Sequence, residues 1–145
     1  MSAVRSHVLM LATVGAMAMG GCATTGANLT SSANRLERSA YALQDEARDE
    51  GARSGFRRDA KELAEEARDF RRVVEDRRSS DDDVHDAFSD LSKRYHAMRD
   101  EVERSDSREA ASDFRSVTEA YLDVEREIRS RDGTRDRDRY VSDDY

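Results

Sequence analysis

The chain has 145 residues, 39 % of them charged and 6 % aromatic, with a formal net charge of −7 and no proline or tryptophan. That length allows one domain with a modest core, and the acid excess disfavours nucleic acid, whose phosphates reward a basic face. So charged a composition describes a disordered chain unless its apolar residues recur with a period, and the missing proline leaves long helices free of breaks.

Met1 to His7 carries Arg5 as its firm side-chain charge, and Val8 to Met19 is an apolar run of 12 residues. A membrane-spanning helix needs roughly 20, so this run has the proportions of a signal peptide. Met19-Gly20-Gly21-Cys22 follows, and Cys22 is the chain's 1 cysteine, which cannot form an internal disulfide. The small residues Gly20 and Gly21 keep the segment before it extended and unobstructed.

This motif resembles the lipobox of bacterial lipoproteins, with Met19 in place of the usual Leu or other aliphatic residue. The resemblance covers residues 1–23. It implies cleavage by signal peptidase II between Gly21 and Cys22, then a thioether-linked diacylglycerol on Cys22 with an N-acyl chain such as palmitate. The membrane is then a partner through Cys22. Because Ala23, not Asp, follows the cysteine, the family's sorting rule implies the outer membrane, facing the periplasm, in a cell with two membranes. Ordinary secretion competes: Ala16-Met17-Ala18 offers a cut after Ala18, which would leave Cys22 a free thiol. Residues 22–28 are expected to be the lipidated N-terminus and a short polar tether.

Beyond the tether, apolar residues recur in steps of four and three. The first series is Leu29, Ala33, Leu36, Ala40, Leu43 and Ala47; the second is Phe56, Ala60, Leu63, Ala67, Phe70 and Val74. Val84, Phe88, Leu91, Tyr95, Met98 and Val102 form the third, and Ala110, Phe114, Val117, Tyr121, Val124 and Ile128 the fourth. Such steps hold side chains on one helical face. The expected fold is an all-α, antiparallel up-down four-helix bundle with coiled-coil-like seams over 29–130, its helices near 29–50, 55–78, 82–104 and 107–130. Gly51 is expected to terminate the first helix and Ser54 to cap the second. The acids Asp81 to Asp83 complement the N-terminus of the third. Ser105-Asp106-Ser107 marks the last break. At the second break the seam phase runs on through Arg77 and Asp81, which leaves a fused second and third helix as an alternative. Alanine in the first two seams is expected to face Phe and Tyr of the last two. Gly133 is expected to end the fourth helix, with 131–145 a disordered, charged tail.

Charges outside the seams suggest pairs at helical spacing: Asp90 with Arg94, Asp100 with Arg104, Glu125 with Arg129 and Glu127 with Arg131. Candidate chemistry is thin. His85 and His96 lie three turns apart, about 16 Å along an axis, too far to share a metal. Asp82 with His85, or Asp100 with His96, supplies two ligands where zinc wants three or four. Every seam position is apolar, and no Glu-x-x-His, haem-attachment motif, nucleophile elbow or phosphate-cradling glycine loop occurs. No catalytic, cofactor-binding or metal residue is expected. The expected role is a non-enzymatic, lipid-anchored envelope module with a protein partner or self-association, and no nucleic acid. The alternative is a binding or chaperone-like module holding an apolar client. Tyr41, Val73 and Leu122, apolar but off the seams, are candidate contact points.

Overall fold

The four apolar stripes become four helices in the computed structural model, which describes residues 24–49, 52–105 and 108–141, with side chains over 28–48, 52–105 and 108–132. They are α1 (Thr24–Asp49), α2 (Ser54–Glu75), α3 (Asp81–Ser105) and α4 (Arg108–Val141). Around the ring, α1 packs on α2 and α4, α2 on α3, and α3 more sparsely on α4, while the diagonal pairs stay apart. Neighbours are antiparallel. At one end Leu43 of α1 meets Phe56 of α2 and Ala110 of α4; toward the other, Asn34 Nδ2 donates to Glu75 Oε1 at 3.1 Å.

Of the 24 seam positions, 21 are buried, and Val74, Phe88 and Ala110 are partly buried against the same core. Ala64 and Ala120, one step beside their seams, are buried too, which widens the stripes to the breadth a closed bundle needs. Alanine at alternate positions of α1 and α2 lets those backbones approach. Between α3 and α4 the aromatic rings stack on one another instead. Tyr95 and Tyr121 lie 3.9 Å apart and 3° from parallel. Phe114 stacks on Tyr95 at 5.4 Å and Phe88 on Tyr121 at 5.8 Å. Interaxial distance follows side-chain size, so this side of the ring is held open by what fills it. On this side the large residues pair with each other.

The helix ends differ from the expected ones for local reasons. Helix α1 begins at Thr24, so the stretch Thr24 to Asn28, expected to be a short polar tether, is helical. Ser54 is the first residue of α2 and caps nothing; Arg53 holds the capping position, without a side-chain hydrogen bond. Helix α2 stops at Glu75, short of 78, because Asp76 turns extended and its Oδ1 accepts the Arg78 N–H at 2.9 Å. Such a side-chain bond offers the backbone an alternative to the helix. The fused α2–α3 alternative is thereby excluded. Gly51, Asp106 and Ser107 lie outside the described residues.

The start of α3 is a reciprocal cap. The Asp83 N–H donates to Ser80 Oγ at 3.1 Å, and the Ser80 N–H donates to Asp83 Oδ2 at 2.7 Å, a capping box with Asp in the Glu position. The Ser80 hydroxyl and backbone N–H hold the Asp83 carboxyl below its usual range. A depressed folded value means that the contribution is present above the unfolded value and lost as pH falls through the folded one. At its far end α4 passes Gly133 and runs to Val141, against the expected stop near 130 and the disordered tail from 131. A glycine costs a helix about 1 kcal/mol, which does not stop it where flanking contacts hold. Arg131 Nη1 lies 4.0 Å from Asp81 Oδ1, and Asp132 Oδ1 lies 2.9 Å from His85 Nε2.

Two substitutions test this packing. Tyr121→Ala should cost about 3–5 kcal/mol, by the usual loss for a buried aromatic, read from chemical denaturation followed by circular dichroism. Ser80→Ala should cost about 1 kcal/mol at neutral pH, with the difference shrinking in acid as Asp83 protonates.

Candidate functional site

The residues expected to carry attachment, Gly21 and Cys22, lie outside the described residues, so the site geometry available is that of the bundle surface. A recess of about 540 Å³ sits where the C-terminal ends of α1 and α3 meet the N-terminal ends of α2 and α4. Leu43, Ala47 and Phe56 supply apolar lining; Glu101, Glu109 and Asp113 supply carboxylates. Gly55 helps to shape this end. A Cβ there would stand 3.1 Å from Glu101 Oε1, so the missing side chain lets Glu101 fold against α2 while its Oε2 pairs with Arg104 at 2.9 Å. The lining contains no histidine, cysteine or lysine. Arg53 and Ser105 complete its polar lining.

The histidines separate. His85 reaches Asp132 on α4 in preference to Asp82, and so clips α3 to α4. His96 lies edge-on to Tyr95, with ring centroids 5.3 Å apart. Among the described residues no three His, Cys, Asp or Glu side chains gather as a metal site. The tyrosine hydroxyls are taken up by short polar chains. Tyr121 donates to Ser92 Oγ at 2.9 Å, and Ser92 donates to the Phe88 carbonyl at 2.8 Å. Tyr95 donates to Thr118 Oγ1 at 3.4 Å. Burial pushes the Tyr121 phenol up, which keeps it a neutral donor.

The charged surface carries ion pairs along helices and, less often, between them. Glu125 and Arg129 pair at 2.7 Å as the spacing suggests. Asp90 pairs with Lys93 at 2.7 Å instead of Arg94, and Arg94 crosses to Glu62 on α2 at 2.6 Å. Arg104 takes Glu101, not the Asp100 carboxylate, and Arg131 reaches Asp81 rather than Glu127. On the opposite side Arg71 of α2 pairs with Glu37 of α1 at 2.6 Å and with Glu75, in a setting less than a quarter exposed. Sequence spacing within one helix has no means of revealing such pairs. Of the off-seam apolar residues, Tyr41 and Val73 pack partly against the core, while Leu122 is 46 % exposed.

Glu66 stands apart electrostatically. Burial raises its carboxyl, and the nearby charges of Asp90 and Asp69 raise it further, against the opposing pull of Arg94 and Lys93. No described helix is long and apolar enough to cross a membrane. Compared with known family models, curated proteins and solved structures, the chain matches none.

A carboxyl raised by folding destabilises the native state wherever it is ionised, and the penalty disappears once pH falls below the unfolded value. Glu66→Gln should therefore raise the melting midpoint slightly at neutral pH, within about 0.5 kcal/mol for a partly buried, solvent-screened group. The gain should fade as pH falls through and below the ordinary glutamate value of about 4.3; thermal melts across pH check both.

Proposed function

We propose that this is a lipid-anchored cell-envelope lipoprotein whose helical body is a non-enzymatic structural or protein-interaction module in the periplasm. The observation that carries the reading is the apolar run Val8 to Met19 ending in Gly20-Gly21-Cys22, with the chain's 1 cysteine at the scissile junction. Each buried acyl methylene contributes about 0.8 kcal/mol, and a single chain holds only marginally. Two or three chains on Cys22 make a durable anchor. Ala23 favours the outer membrane, with the body facing the periplasm.

The body suits this task. Its seams are spent on a closed apolar core, which gives rigidity and leaves the charged outer faces for a partner or a second copy. A second reading, a module that holds an apolar client, draws on the sparse packing of α3 against α4. Opening that side would unstack Tyr95 from Tyr121 and expose the core to the client.

Wild type should carry acyl mass beginning at Cys22 and enter the detergent phase, whereas Cys22→Ala should lose that mass and remain in the aqueous phase. Intact-mass measurement with detergent partition checks this, and identical behaviour of the two proteins contradicts it. The client reading predicts protection of an unfolding protein at stoichiometric ratio, and inertness removes it.

A further inference from the structure

Ion pairing along α1 is uneven. Arg35 reaches Asp123 at 2.9 Å and Glu119 at 3.4 Å on α4, and Glu37 reaches Arg71 on α2 at 2.6 Å. Arg38, Asp45 and Glu46, all exposed, take no ion-pair partner among the described residues. Arg38 and Glu46 line a groove of about 370 Å³ between α1 and α4, with Ala42 between them and Ser112 and Ser116 on the facing helix. The Arg35 pairs set the register of the two helices and put Ala42 level with about residue 114 of α4. The groove is therefore laid out evenly about one level. Arg38 and Glu46 stand about 6 Å to either side of it along α1, and Ser112 and Ser116 flank the same level on α4.

Such a face complements its own copy. A two-fold axis places the same patch on both sides of an interface, so each charge has to meet its opposite within that patch. With α1 antiparallel to its copy about the level of Ala42, each residue comes level with the one equally far on the other side. Arg38 then stands level with the second copy's Glu46 and beside its Asp45, and the symmetry repeats the exchange in the other direction. The small side chains of Ala42, Ser112 and Ser116, all exposed, let the facing helices approach closely at the centre. Asp113, the remaining charge of the groove, is half-buried behind this rim. We infer that the α1–α4 face binds a second copy of this chain, antiparallel and held in register by Arg38 against Asp45 and Glu46. This names the partner of the interaction module proposed above and rests on that reading, not on acylation of Cys22.

The test uses full-length protein in detergent micelles, with its mass recorded, followed by sedimentation velocity over a concentration series. Wild type should form a dimer. Arg38→Glu sets like charges opposite one another in both halves of the interface and should raise the dissociation constant at least about tenfold; Glu46→Arg should weaken the dimer as well. The triple variant Arg38→Glu, Asp45→Arg, Glu46→Arg exchanges the two signs and should return the constant to within about threefold of wild type. Circular dichroism of each variant should match wild type, since the three side chains are exposed. A wild type that stays monomeric, or a dimer that neither single reversal weakens, overturns the inference, and so does a helical triple variant that remains dissociated. A monomer leaves the interaction module to a different partner, whereas missing acyl mass on the same sample overturns the anchoring alone.

Discussion

Two tyrosine rings stacked 3.9 Å apart set the width of one side of this bundle, and the rest of the ring accommodates it. Across from them the alanines of α1 and α2 let two backbones close up. A bundle built of equal seams would be symmetric and could settle in more than one arrangement, whereas an aromatic side and an alanine side define which helices are neighbours and in what order. The ring hydroxyls reinforce the choice. Each tyrosine must find a partner when buried, and Ser92 and Thr118 stand where only this register brings them. Offset-stacked aromatic pairs with the spacing of Phe114 on Tyr95 and Phe88 on Tyr121 contribute about 0.5–1.5 kcal/mol beyond their buried area, enough to matter in a domain whose net stability is of order 5–15 kcal/mol.

The core was legible because burial obeys a period. Steps of three and four from Leu29 to Ile128 identified side chains that are buried or packed against the core without exception. The boundaries were less so, since they depend on single hydrogen bonds. Asp76 ends α2 by accepting the Arg78 N–H, and nothing in the seam phase signals it. Gly133 looked like a terminator and is not one, because contacts from α3 hold the preceding turn. The ion pairs were least legible. Arg94 has an acid four residues before it, yet reaches Glu62 on another helix, a choice that only the assembled bundle presents.

Function divides along the same line. The proposed attachment motif is local, so it can be read from ten or so adjacent residues, and it lies outside the described helices. The surface of the body is global: the recess lined by Phe56 and Glu101, the His85–Asp132 clip and the projection of α4 beyond the start of α1 arise only from packing.

The stack between α3 and α4 is the constraint from which neighbour order, register and the direction of α4 follow, and nuclear magnetic resonance reads it directly. Nuclear Overhauser effects between the ring protons of Tyr95 and Tyr121, with mutual upfield ring-current shifts, are the predicted result. Rings without mutual Overhauser contacts, in a chain that is nonetheless helical, would contradict the account.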